Sequence, residues 1–292
     1  MSNETKRPVI LCVGSDKRQV FAARGLTRLG RVYCCGTDDS ADGSIMLGRL
    51  SDMPEKAELL LLPVPCNTKL RIPSSAGAID CRELADHLEE GALVAGGMMN
   101  GEMLSFFSER GFAAEDYFKR EDLVLRNCIP TAEGALEIAL RELDVTVSGL
   151  STLIVGWGRV AKACAKLFAA VGAKTAVAAR SSSALAEAAA AGHKVFPLGK
   201  LSENAAGFPL IINTVPAKVI TAEVIGCVSS DCLIIDLASK PGGTDFDTCE
   251  RLGIRYVHAL GLPGKCSPKT AGGIIADTVI QIFRERSDSN VT

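Results

Sequence analysis

Short apolar runs, each stopped by glycine, proline or a polar residue, recur along the 292-residue chain. Residues 8–14, 31–36, 59–65 and 92–97 read as four buried strands. A helix reaching Leu29 follows the first, and an acidic, helix-like stretch, 82–90, precedes the fourth. Further on, residues 152–155, 174–180, 194–197, 209–216, 231–239 and 254–258 read as six more strands, with helices over 184–191, 246–252 and 270–286. Strands alternating with helical patterns predict an α/β fold of two lobes with parallel sheets. Pro130 predicts a crossing between lobes, with Thr131 capping a linking helix through Leu136, Leu140 and Leu143. The boundary falls near residue 128. That gives a Rossmann-like substrate or partner domain over 1–128 and a cofactor domain over 129–292, whose last helix is free to pack back on the first lobe.

The most informative stretch is Thr152-Leu-Ile-Val-Gly156-Trp-Gly158-Arg-Val-Ala161. An apolar strand runs into two glycines, and Val160, Cys164, Leu167, Phe168 and Val171 then recur at helical spacing. The pattern is G-x-G-x-x-A, the dinucleotide fingerprint in its alanine variant. Gly156 allows a tight turn, Gly158 a close approach of the backbone to a pyrophosphate, and Ala161 tight helix–strand packing. The helix N-terminus then offers free N–H groups and its positive dipole end to the phosphates. Gly156, Trp157, Gly158, Arg159 and Val160 are the predicted contacts. Asn213, Thr214, Val215 and Pro216 end a strand of the same sheet and are expected beside the nicotinamide ribose.

The end of the next strand separates NAD from NADP. An NAD site usually places a carboxylate there to hold the ribose hydroxyls. Here Arg180, Ser181 and Ser182 occupy it, and a guanidinium with hydroxyls suits a 2′-phosphate. NADP is therefore favoured over NAD. In the competing reading Arg180 is a solvated loop residue and the serines only cap a helix. The first turn of the first lobe, Val13-Gly14-Ser15-Asp16, lacks the later fingerprint glycines, which argues against a dinucleotide there. The loops of that lobe carry Asp16, Arg18, Pro65, Asn67, Thr68 and Asn100, read chiefly as turn and cap residues.

Composition narrows the class. Hydrophobic residues at 47% and charged residues at 23% are globular values. A net charge of −2 and a pI near 6.0 give no electrostatic case for nucleic acid or an anionic membrane. No apolar run approaches a bilayer span. The polar start Met-Ser-Asn-Glu-Thr-Lys-Arg lacks a signal-peptide plan, so a cytoplasmic location is expected. The 11 cysteines are odd in number and scattered, without a Cys-x-x-Cys or a zinc spacing. They are expected to be small buried apolar residues in a reducing compartment, and no metal site is expected. Trp157, the single tryptophan, lies inside the glycine turn and is a potential reporter of cofactor binding.

Several motifs in order carry a family resemblance: Gly14-Ser-Asp-Lys-Arg-Gln19, Leu62-Pro-Val64, Asn127-Cys-Ile-Pro-Thr-Ala-Glu-Gly134, Gly156-Trp-Gly-Arg159, Ala179-Arg-Ser-Ser182 and Asn213-Thr-Val-Pro216. Asp236-Leu-Ala-Ser-Lys-Pro-Gly-Gly-Thr-Asp-Phe246, Gly261-Leu-Pro-Gly264 and Ser267-Pro-Lys-Thr-Ala-Gly272 complete the set. Together they resemble the family of dipicolinate synthase A subunits over nearly the whole chain. The resemblance implies two α/β lobes, a nicotinamide cofactor generally taken as NADP, and oxidation of a dihydrodipicolinate-type ring formed from the 4-hydroxy-tetrahydrodipicolinate of the lysine pathway. It also implies a flavoprotein-like partner, the dipicolinate synthase B subunit, and action in the mother cell of a sporulating bacterium. Homo-oligomerisation stays open.

A ring with two carboxylates needs cationic or N–H partners. Lys240 and Lys269, expected on two glycine-rich loops of the cofactor lobe, are the leading candidates. Ser239, Thr244 and Thr270 could add hydroxyls, and Gly242, Gly243 and Gly264 close backbone approach. Lys240, Asp245 and Lys269 form the candidate catalytic set. Asp245, His258 and Lys240 are the nearby groups able to take a proton, although Asp245 also reads as a helix cap and His258 as a strand end. Two other readings stay open: a two-lobed dehydrogenase of the shikimate or alanine dehydrogenase kind, and a cofactor-binding regulatory subunit.

Overall fold

The computed structural model describes residues 7–39, 41–66, 69–75 and 77–289, so Asn67 and Thr68 lie outside the described residues. The chain forms two compact units. One takes residues up to Asn127 together with those from Ser267 onward, and the other takes Cys128–Cys266.

The first unit holds β1 (Val9–Val13), β2 (Arg31–Cys35), β3 (Ile45–Leu47), β4 (Ala57–Leu61), an antiparallel hairpin of β5 (Arg71–Ser74) and β6 (Gly77–Asp80), then β7 (Leu88–Gly96) and β8 (Ala113–Asp116). Six of these make one parallel sheet in the order β3-β2-β1-β4-β7-β8. With the hairpin set aside this is the doubly wound order, whose switch point falls between β1 and β4. All five side chains of β1 are buried because both faces of the sheet are covered. One face packs Leu11, Leu60, Val94 and Phe107. The other packs Ile10, Leu59 and Leu26 against Ile275 and Val279 of the helix Pro268–Ser289. That helix lies close along Lys17–Leu26, since a Cβ on Gly25 would come within 2.5 Å of the Ala276 Cβ. Arg28 and Arg126 both bind Asp277, at 2.6 and 2.7 Å, and Arg120 grips both oxygens of Glu285 at 2.8 Å.

The second unit holds β9 (Ser151–Val155), β10 (Lys174–Ala179), β11 (Lys194–Pro197), β12 (Leu210–Asn213), β13 (Leu233–Asp236) and β14 (Arg255–His258). They form one parallel sheet in the order β11-β10-β9-β12-β13-β14, again doubly wound. Its faces pack Ile154, Phe168 and Ile212 on one side and Val155, Ile211 and Ile234 on the other.

Pro130 does not break the chain. It lies inside one helix, Glu121–Glu142, and Thr131 is a helical residue rather than a cap. A proline removes one backbone bond there, but Ala132, Ala135, Ile138 and Ala139 recur at helical spacing and are buried in the second core, which holds the helix regardless. The acidic stretch is helical only over Cys81–Asp86, and β7 begins at Leu88. No cysteine forms a disulfide, and all are buried except Cys227 and the half-buried Cys266.

Candidate active site

Four strand ends lie in register at the C-terminal edge of the second sheet: Val155 beside Asn213, Asn213 beside Asp236, and Asp236 beside His258. The loops that follow therefore emerge side by side, where open α/β sheets take their ligands.

Gly156 turns at φ +104, a backbone state that favours glycine, and a Cβ there would come within 2.5 Å of Thr214 Oγ1. Thr214 holds that approach by donating its hydroxyl to Val155 O at 2.9 Å. Gly158 is the N-cap of the helix Arg159–Ala170, in extended conformation and with no side-chain cap. Among the described residues nothing lies within 4 Å of the position its Cβ would take. No side chain therefore caps the first turn of this helix. Arg159 is exposed and Val160 half-buried at the start of this helix. The Trp157 ring is turned inward. It packs in the core with its centroid 5.6 Å from that of His193 and with Lys162 Nζ 6.0 Å away. Lys162 binds Glu187 at 2.7 Å, which holds that carboxyl below its usual value. Trp157 therefore turns its indole toward the core.

After β10, Arg180 is exposed and has no ion-pair partner among the described residues. Ser181 caps the next helix by accepting from Ala184 N–H at 3.2 Å, and Ser182 is its exposed first residue. The buried Asn213 closes on its own turn: its amide donates to Val215 O at 3.2 Å and accepts from Val215 N–H at 3.1 Å. It shapes the Thr214-Val215-Pro216 loop from inside and leaves Pro216 exposed.

The loop after β13 is organised by Asp236, whose role nothing in the local sequence pattern signals. Its fully buried carboxylate accepts from Ala238 N–H at 2.9 Å, Gly243 N–H at 2.9 Å and the Thr244 hydroxyl at 2.6 Å. Gly243 O in turn accepts from Val219 and Ile220 N–H, both at 3.0 Å, so the loops after β12 and β13 are stitched together. A Cβ on Gly243 would collide with Asn213 Nδ2 and the carbonyls of Val215 and Ala217. Gly243 and Thr244 are thus internal struts, while Ser239 and Lys240 stand exposed at the loop tip. His258 Nε2 lies 3.1 Å from Ala238 O, and its ring stacks on Phe246 at 4.9 Å. Asp245 occupies the N-cap position of Phe246–Leu252 without capping it. Its carboxylate pairs instead with Lys218 at 3.4 Å.

Lys269 and Thr270 differ from their expected setting. Pro268 starts the helix Pro268–Ser289, so both are exposed residues of its first turn, in the first unit rather than on a loop of the second. The glycine-rich stretch before them folds into a short helix, Leu262–Cys266.

The equivalent turn of the first unit is closed. Gly14 sits at φ +107 against Pro63, as Gly156 sits against Thr214. There Asp16 caps the helix by accepting from Arg18 N–H at 2.8 Å, and Ser15 N–H is taken by Pro73 O of the hairpin at 3.2 Å. A carboxylate holds the place where a pyrophosphate would need bare N–H groups. An open cavity of about 590 Å³, lined in part by Thr175, His193 and Asn204, lies at the opposite edge of the second sheet. Among the described residues no His, Cys, Asp and Glu group could hold a metal ion, and no helix is long and apolar enough to cross a membrane.

Residues 9–118 match the family model of the N-terminal domain of the dipicolinate synthase A subunit. Over 284 residues, 94% of this chain and 96% of the relative, the sequence is 32% identical to the dipicolinate synthase A subunit of Bacillus subtilis (strain 168). The crystal structure of the dipicolinate synthase A subunit from Bacillus halodurans is similar with a TM-score of 0.86 and 32% identity, covering 95% of this chain and 98% of that one. A transhydrogenase from Sinorhizobium meliloti shares the fold at a TM-score of 0.72 and 14% identity, covering 94% of this chain and 92% of its own. With motifs, architecture and near-full-length identity in agreement, the chain belongs to the family of dipicolinate synthase A subunits.

Proposed function

We propose that this chain is an oxidoreductase subunit that forms dipicolinate, pyridine-2,6-dicarboxylate, from the cyclised lysine-pathway intermediate, together with a second subunit. It uses a nicotinamide dinucleotide, NADP in preference to NAD, at the second unit. The observation that carries the reading is the contrast between the two equivalent turns. Gly158 leaves its helix N-terminus bare, while Asp16 fills the other with a carboxylate. Exposed Arg180 after β10 supports the preference for a 2′-phosphate.

A bound oxidised nicotinamide would supply the two-electron oxidant, once the 4-hydroxyl of the intermediate has left as water. The protein's own part is to bind and orient, because aromatisation of the ring is downhill. First-turn N–H groups at Gly158 and Arg159 hold the pyrophosphate, and the Thr214-Val215-Pro216 loop borders the ribose. The buried Asp236 network fixes the loop that presents Ser239 and Lys240 to a substrate carboxylate. Lys269 and Thr270 are the corresponding candidates on the first unit. Asp245, with Lys218 beside it, is the candidate acceptor for a ring proton.

The test is absorbance in the dipicolinate band. The reaction contains the cyclised aspartate-semialdehyde–pyruvate product and NADP, with and without the second subunit. Product formed only with both subunits supports a shared enzyme, and product from this chain alone makes it the complete dehydrogenase. No product in either case, with NADPH still bound, refutes the proposed reaction. Lys240→Ala and Lys269→Ala are expected to raise KM with the cofactor Kd little changed.

A further inference from the structure

The first unit has its own switch point, between β1 and β4, and it does not carry a phosphate site. It carries a buried cation. The Arg18 side chain is only 10% exposed. Its Nε donates to Asp16 Oδ1 at 2.7 Å, and its Nη2 donates to Asp16 Oδ2 at 2.7 Å and to Val64 O at 2.6 Å. Asp16 follows β1 and Val64 follows β4, so the guanidinium bridges the two loops that diverge at the switch point. These three bonds fix the plane of the fork. Both N–H groups of Nη1 have no partner among the described residues.

We propose that Arg18 binds a carboxylate of the dicarboxylate substrate through this remaining edge. The inference rests on the dipicolinate reading and assigns it a binding residue on the first unit. A purely structural role explains the charge poorly. Buried ion pairs seldom stabilise a fold more than apolar packing of the same shape. The junction is already tied by the neighbouring Gln19, whose amide donates to Leu61 O at 2.9 Å. What the ion pair does supply is orientation. A guanidinium held on one side has lost its rotameric freedom before a ligand arrives, which removes part of the entropic cost of binding. The hairpin seals the β1 side through Ser15 N–H and Pro73 O. On the loop after β7, the neighbour of β4, Met98 is held at φ +58 with 46% of its surface exposed, an apolar face at the same sheet edge.

The experiment pairs a ligand edit with a residue edit. Dipicolinate and pyridine-2-carboxylate, which lacks one carboxylate, are titrated into the full chain saturated with NADPH, followed by calorimetry. The wild-type chain is expected to prefer the diacid. Arg18→Ala is expected to weaken dipicolinate by about 10- to 100-fold, the range of a hydrogen bond to a charged group. The preference over the monoacid collapses and the NADPH Kd stays unchanged. A variant that weakens both acids equally, or neither, overturns the proposal. If Arg18→Ala does not fold, Arg18→Lys carries the test. Its ammonium, a point donor drawn to Asp16 and Val64 O, puts no N–H where Nη1 stands, so the same collapse is expected, and an intact preference overturns the proposal. A wild-type chain that binds neither acid removes the dipicolinate reading and this inference with it. A wild-type preference insensitive to Arg18 removes this inference alone.

Discussion

Gly158→Asp sets stability against function at a single atom position. The residue is an N-cap at φ −81 and ψ −173, extended backbone that any side chain adopts. Among the described residues nothing lies within 4 Å of its Cβ position, so aspartate fits without strain. Aspartate is a better N-cap than glycine by a few tenths of a kcal/mol, and its charge against the helix dipole adds about 0.3–1 kcal/mol. The variant should therefore melt at or slightly above the wild-type temperature. The same carboxylate would lie beside the bound pyrophosphate. Two unit charges 4 Å apart interact by about 4 kcal/mol at an effective dielectric of 20. Allowing for solvent at this exposed turn leaves roughly 2–4 kcal/mol, or about a 30- to 1,000-fold loss of dinucleotide affinity. Thermal unfolding and NADPH fluorescence titration measure the two effects separately. An unchanged Kd would falsify the placement of the phosphates at this turn, and a lowered melting temperature would refute the reading of Gly158 as an open cap. Asp16 already displays the stable, closed version in the first unit.

Arg180→Asp should weaken NADP by about 10- to 100-fold through the lost charged hydrogen bonds and leave NAD much less affected, and equal losses in a paired titration refute the 2′-phosphate argument. Asp236→Asn keeps at best two of the three bonds and leaves a buried N–H facing an amide, which costs about 2–4 kcal/mol and roughly 5–15 °C in the melting of the second unit; a melting shift within about 1 °C contradicts the network's role. Acid should loosen the helix Pro268–Ser289. Arg120 holds the Glu285 carboxyl down at about 2, and Asp277 is also held low: burial pushes it up, but Arg28 and Arg126 outweigh that. A carboxylate depressed in the folded state stabilises above its unfolded pKa of about 4.3, and that contribution is lost as pH falls through the folded value. Glu285→Gln should therefore flatten acid unfolding between about pH 4.3 and 2, and an acid-unfolding curve identical to wild type counts against it.

The central strands of both sheets were legible because β1, β4, β9, β12 and β13 are apolar runs buried over nearly their whole length and stopped by glycine, proline or a polar residue. What escaped were elements made by their surroundings. β3 has only three residues, two of them exposed, and β5, β6 and β8 have four residues each that mix apolar and polar positions without a buried run. Nothing in their patterns distinguishes them from loops. Pro130 pointed to a helix capped at Thr131, because local propensity was set against burial that only the folded core reveals. At the site, the glycine turn was readable because its chemistry is local. The part played by Asp236 was not, since its partners lie two, seven and eight residues ahead and meet only when the loop folds back. Trp157 could be seen in the turn, but not which way its ring faces. Lys269 seemed to belong with Lys240, whereas the helix that carries it belongs to the other unit.

The division of the chain has a consequence for how it is made. Domains generally fold as units while the ribosome is still extending the chain. The first unit is started first but cannot finish first. Ala22, Ala23 and Leu26 wait for Ile275 and Val279, which are synthesised after the whole of Cys128–Cys266. The continuous second unit can close while its elder neighbour still shows an apolar helix face. During that interval the nascent chain would carry a finished glycine turn at Gly156–Gly158 and an unfinished first unit, with the apolar face of the helix Lys17–Leu26 still uncovered.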